Sequence, residues 1–167
     1  IAKSLEKKIK SILEDLLDED RESYEKFFDS FGMQLKYGIY GNYGMNNDVL
    51  KDLVLFYSSY DKKRVTLKEY VSRMKDGQEK IYYASGESVD KIDMLPVVER
   101  FKDKEYEVLY LNDYVDEFTL QSLMEYDGHK FVNVNNDDVD LDTEEEKEEL
   151  KKRNEDSKDM FEFMNEV

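Results

Sequence analysis

Cysteine is absent from the 167 residues, which excludes disulfides, thiolate metal sites and cysteine nucleophiles. Histidine occurs once, as His129, so no His-His metal motif exists and the composition argues against a zinc site. Proline also occurs once. Pro96 sits where the first turn of a helix would fall, a position that tolerates a missing N–H. No apolar run approaches the length that crosses a bilayer. The chain opens on Ile1 with no basic-then-apolar leader, and so reads as an internal fragment.

Positive charge is the scarcer sign. Lys plus Arg number 25 against 41 Asp plus Glu, a formal net charge of −16. Such a surface repels nucleic-acid phosphates and anionic lipid, so neither nucleic acid nor membrane is an expected partner. Cytoplasm is the expected compartment. The hydrophobic fraction is nevertheless 40% and the aromatic fraction 13%, too rich for wholesale disorder.

What is present falls into three stretches. In residues 1–53, Leu5, Ile9, Ile12, Leu13, Leu16 and Leu17 recur at helical spacing, and Tyr24, Phe27, Phe28, Phe31 and Leu35 repeat the pattern from about Arg21. The second helix is expected to end in "YGIYGNYGMNND", because closely spaced glycines oppose helical order. Asn46 or Asn47 could then cap a third, short helix through Leu50 and Leu53. Two stripes with a short joint predict a small helical unit.

Across residues 54–136 the period changes. "VLFYS", "KIYYA", "EVLYL" and "FVNV" are short runs of β-formers, separated by helical patterns in "TLKEYVSRM", "DMLPVVERFKDK" and "DEFTLQSLMEY". That alternation predicts an α/β fold, a three-layer α/β/α unit on a mainly parallel sheet. From 137 to 167 the chain becomes an acidic linker and a charged helix, with a capping box at Thr143 and Glu146. Met160, Phe161, Phe163 and Met164 form an apolar tip near its end.

Candidate sites are few. "KIYYASGES" has the strand, glycine turn and helix order of a phosphate loop. It carries one glycine, no suitably placed Lys, and Glu87 where an anion would sit. Gly86 is read as making the turn and Ser88 as capping the next helix. Asp138, Asp140, Asp142 and Glu149 have calcium-loop spacing, but Thr143 stands where glycine is needed and Glu145 where an apolar anchor belongs. A solvated linker is the reading there. Asp116 and Glu117 are adjacent on a helix and do not face each other, so they start the helix rather than form a catalytic pair.

If Leu120, Leu123 and Met124 form the buried stripe, Phe118 and Gln121 fall towards its edge. An aromatic flanked by acids at a helix start is either a partner contact or a half-buried core edge. His129 is read as part of a surface turn. Lys62, Lys63, Arg64, Lys68 and Arg73 cluster against the acidic background, as a solvated face or a docking patch for an acidic partner. The residues alone also permit a small-ligand-binding α/β domain of an enzyme, or a purely structural spacer. An enzyme reading lacks a glycine-rich fingerprint or a nucleophile with its base.

Longer segments carry a resemblance. "YEKFFDSFG", "LKYGI", "LVLFYSS", "EYVSRMKDGQEKIYYASGES", "YEVLYLNDYVDEF" and "EYDGHKFVNV" occur in order from Tyr24 to Val134. Together they resemble the middle domain of the ninety-kilodalton heat-shock chaperones, of the bacterial high-temperature protein G type. The resemblance implies a dimeric, ATP-driven, three-domain chaperone that assists folding of client proteins. Its ATP and magnesium site, and the catalytic Arg that reaches into it, would lie before Ile1. Residues 1–53 would then be the helical part of the middle domain, 54–136 its small α/β subdomain, and 137–167 the linker and first helix of the C-terminal domain.

This piece would therefore be a scaffold and client-binding segment with no cofactor and no chemistry of its own. Unfolded or partly folded clients, and a co-chaperone, are the implied partners, with homodimer contacts mostly beyond the chain. By the same correspondence Glu117, Phe118 and Gln121 are the client-contact candidates. Phe118 stands where some bacterial members carry Trp, and "YGNYGMNND" departs from an acidic pair that many members have.

Overall fold

The structure is a computed structural model and describes residues 2–41 and 47–136. The readings made for Asn46, for the Asp138-to-Glu149 spacing, for the Thr143 capping box and for the apolar tip at 160–164 lie outside the described residues.

Two helices open the fold, α1 (Ala2–Glu19) and α2 (Arg21–Gly41), followed by a single turn, α3 (Asn47–Leu50). Asp20 joins the first two and caps α2, its carboxylate accepting from the N–H of Ser23 at 3.2 Å and the Ser23 hydroxyl at 2.6 Å. On α1 only the C-terminal half of the stripe is used. Leu13, Leu16 and Leu17 pack against the core, whereas Leu5, Ile9 and Ile12 are exposed.

The helix ends inside the expected stretch, at Gly41, and passes through Gly38 before it does. Each glycine weakens a helix by about 1 kcal/mol relative to Ala, but fully burying Ile39 returns about 1.5–3 kcal/mol. Packing therefore outweighs propensity. Gly38 also serves a contact, because a Cβ there would lie 2.8 Å from Cδ1 of Leu50, and its absence lets α3 sit close.

The remaining chain folds as strands and helices in alternation. In order they are β1 (Phe56–Ser58), β2 (Arg64–Val65), α4 (Leu67–Ser72), β3 (Lys80–Ser85), α5 (Val89–Asp93), α6 (Pro96–Asp103), β4 (Val108–Leu111), α7 (Tyr114–Leu123), β5 (Glu125–Tyr126) and β6 (His129–Asn133). The six strands form one sheet in the order β2-β1-β4-β3-β6-β5. At its centre β3 pairs in parallel with β4 (Tyr83 opposite Leu109) and with β6 (Tyr82 opposite Val132). The predicted α/β fold with a parallel sheet core is present.

Two strands were not expected, β2 and β5. Both are two-residue edge strands that add antiparallel partners to β1 and β6, too short to show a period. The β5–β6 turn is Asp127-Gly128, with φ of 51° and 79°, the left-handed pair that a two-residue hairpin requires. His129 is consequently the first residue of β6, its Nδ1 2.9 Å from the Glu79 carbonyl.

The central strands are buried on both faces, as parallel strands covered by helices should be. On one face Ile81, Tyr83, Leu109 and Leu111 meet Tyr24, Phe28 and Ile39 of α2 and Leu120 and Leu123 of α7. On the other, Tyr82 packs edge-on against Phe101 of α6 and against Tyr106, at ring separations of 4.8 and 5.5 Å. Local signals start the helices there. Pro96 occupies the first turn of α6 and Ser88 caps α5 by accepting the Lys91 N–H. The Gly86 N–H donates to the Leu111 carbonyl at 3.1 Å, so this turn extends the sheet and its amide is not free for an anion.

Tyr70 ties the helical and sheet layers together. Its hydroxyl donates to the Glu107 carbonyl at 2.7 Å and accepts from the Tyr82 N–H and the Gln78 side chain, each at 3.1 Å. Tyr70→Phe takes this partner from the Glu107 carbonyl and the Tyr82 N–H at a fully buried residue, while Gln78 keeps its bond to the Lys80 carbonyl. Urea unfolding is expected to show a loss of about 2–3 kcal/mol, and a loss below about 0.5 kcal/mol would contradict this role.

Candidate functional site

The predicted contact residues all lie on α7, and their position is set by a buried ion pair. Lys36 on α2 donates to Oδ1 of Asp116 on α7. The two side chains are 6% and 2% exposed. The other carboxylate oxygen of Asp116 accepts the Asp113 N–H at 3.2 Å, which satisfies an otherwise unpaired amide at the start of α7. The Lys36 ammonium also lies 4.9 Å from the ring centre of Phe56 and 5.5 Å from that of Phe28, within cation–π range. Burial raises the Asp116 pKa, opposed by the charge and hydrogen bond of Lys36. Asp116 therefore does more than begin a helix. It locks α7 onto α2.

Around this pair the two helices present aromatic rings outward. Tyr37 and Tyr114 lie 6.4 Å apart and share a hydroxyl–hydroxyl hydrogen bond. Tyr40 and Phe118 lie 5.3 Å apart. Both pairs cross from α2 to α7, and all four rings are substantially exposed, Phe118 at 44% and Tyr114 at 68%. Gln121 is exposed and Glu117 half-buried. Glu117 faces inward far enough to act on Tyr83, whose hydroxyl pKa is pushed up by burial and then by the Glu117 charge.

The expected stripe of α7 is partly right. Leu120 and Leu123 are buried, but Met124 is 75% exposed. It ends the helix at φ 63°, a left-handed residue that turns its side chain away from the stripe. Val115, Asp116 and Thr119 complete the buried face instead.

Sequence reasoning missed Tyr37, Tyr40 and Tyr114, whose ring pairs form only when α2 meets α7. Lys36 was missed as well, although it carried a signal. It falls between Phe28 and Ile39 on the buried face of α2, and a lone Lys there requires a buried acid.

The basic cluster has a different fate. Lys62 pairs with Asp90 and Asp93, Lys63 with Asp61, and Arg64 with Asp29. Arg73 bonds both oxygens of Glu107 at 2.9 Å and lies 4.3 Å from the Tyr60 ring centre. Four of the five cations are thus neutralised internally, and Lys68 is exposed. Asp93 is half-buried, which opposes its ionisation, yet hydrogen bonds from Lys102, Tyr110 and Lys62 hold its pKa down to about 2. Among the described residues no group of three or more His, Asp or Glu is arranged to hold a metal. No described helix is long and apolar enough to cross a membrane.

A helical hairpin on a three-layer α/β/α unit defines a class of module, and a solved structure shows which. The middle domain of a Plasmodium falciparum heat shock protein is similar at a TM-score of 0.72 and 33% identity, over 80% of this chain and 55% of that one. The family model described as Hsp90 protein matches residues 1–167. Chaperone protein HtpG of Clostridium acetobutylicum is 54% identical and that of Bacillus subtilis 48% identical, each over the whole chain. The chain belongs to the Hsp90 family of heat-shock chaperones, in its bacterial HtpG type. It spans 26% and 27% of the length of those two relatives.

Removing one partner of the buried pair tests its role. Lys36→Met leaves the Asp116 carboxylate buried without its cation, expected to reduce stability by about 3–5 kcal/mol at pH 7. The Asp116 pKa then rises further above its unfolded value. A carboxylate raised in the folded state binds a proton on folding, so stability is recovered as pH falls through that raised pKa. The gap to the unmodified chain should narrow between pH 7 and pH 5 in urea titrations. A pH-independent gap would contradict an ionised, buried Asp116.

Proposed function

We propose that this chain is the client-holding segment of an ATP-dependent chaperone that assists protein folding. The observation that carries this reading is the exposed four-ring surface built by Tyr37, Tyr40, Tyr114 and Phe118. Exposed aromatic groups on a rigid platform suit weak, multi-site contact with partly unfolded proteins. Glu117, Phe118 and Gln121 contact the client, joined by the three tyrosines. The chain does no chemistry itself. ATP, magnesium and the catalytic Arg act from parts of the full-length protein outside it, and closure driven there repositions this module with its client.

In the same reading residues 1–53 and 54–136 are the helical and small α/β parts of the middle domain, and 137–167 lead into the C-terminal domain. The full-length protein is a cytoplasmic homodimer joined mostly beyond this chain, and a co-chaperone works with it. Nucleic acid and membrane are not partners, consistent with the net charge of −16.

Phe118→Ala removes a side chain that is 44% exposed, so the fold should lose under about 1 kcal/mol. Binding of a partly unfolded client, followed by fluorescence anisotropy, is expected to weaken by about 1 kcal/mol or more. Unchanged binding with an intact fold would remove Phe118 from the client surface.

A further inference from the structure

On the two segments that carry the four rings the charge is one-sided. Between Met33 and Gly41 on α2 the only ionisable group besides the tyrosines is Lys36, which is buried and committed to Asp116. Between Asp113 and Gln121 on α7 there are three acids and no Lys or Arg. Asp116 is neutralised by Lys36, leaving exposed Asp113 and half-buried Glu117 without an ion-pair partner on these segments. Their setting differs from that of the arginine-rich side of the molecule, where Arg64 and Arg73 are matched by Asp29 and Glu107.

Aromatic faces attract cations through their quadrupole, and nearby carboxylates add a Coulombic component. From this we infer that the surface selects among unfolded segments. It prefers those in which Lys or Arg alternates with apolar side chains, and disfavours acidic segments of equal hydrophobicity. The inference rests on the client-surface reading above. Apolar side chains lie across the ring pairs Tyr37–Tyr114 and Tyr40–Phe118, while a cation reaches a ring face beside Glu117 or Asp113. Because the Lys36–Asp116 pair is neutral as a unit and enclosed, it does not cancel this field.

The test uses the whole chain and two unstructured peptides matched in length and apolar content, one carrying Lys and the other Glu at the polar positions. Fluorescence anisotropy at low salt is expected to show the Lys peptide binding about tenfold more tightly, as two exposed cation–π or ionic contacts would give. The preference should fall to about twofold or less near 1 M salt, where charges beyond about 3 Å are screened. It should fall similarly in the double variant Asp113→Asn, Glu117→Gln.

A second double variant, Glu22→Gln with Glu105→Gln, removes two highly exposed acids elsewhere and should keep the preference. Equal loss in both double variants would assign the effect to overall net charge and overturn the inference. Equal binding of both peptides, abolished by Phe118→Ala, would also overturn it while leaving the client surface standing. Binding of neither peptide would overturn the client surface as well.

Discussion

The arrangement of this module depends on one buried contact, the ion pair between Lys36 and Asp116. Desolvating each charge costs several kcal/mol, and the pair is tolerated only when geometry and further hydrogen bonds satisfy what burial removes. Both conditions are met. Asp116 uses one oxygen on Lys36 and the other on the Asp113 amide, and Lys36 rests between the rings of Phe28 and Phe56. A hydrophobic pair of similar volume could hold two helices together as firmly. What the ion pair adds is register: the ammonium and the first-turn carboxylate meet only when α7 starts at one place along α2. That register brings Tyr37 to Tyr114 and Tyr40 to Phe118.

The contact also explains how local preference is overridden at the end of α2. Gly38 opposes helical order three residues before the helix ends at Gly41. Burial of Ile39, the anchoring of Lys36 and the close approach of Leu50 to Gly38 all require helical geometry. Tertiary packing supplies the difference, as it commonly does in helices of this length.

Much of the fold was legible because its signals are local. Four β-rich runs, the Ser88 cap and Pro96 in the first turn of α6 each depend on a few neighbouring residues. The edge strands β2 and β5 were not legible, since two residues carry no period and exist only through pairing. At the site, Phe118 could be read as leaving the buried stripe of α7, whereas the tyrosine pair spans 77 residues of sequence and needs the fold to form. The buried acid at 116 looked like any first-turn carboxylate. Its partner lies 80 residues away, and only a Lys on an otherwise apolar helix face hinted at it.

The central claim is that α2 and α7 form one client surface because the ion pair holds them in register. Its most direct test is chemical-shift mapping by NMR of the 167-residue chain titrated with a partly unfolded client. The account predicts concerted shifts on both helices, at Tyr37 and Tyr40 together with Tyr114 to Gln121. Shifts confined to α7, or centred on another region such as Ser85 to Ser88, would contradict it.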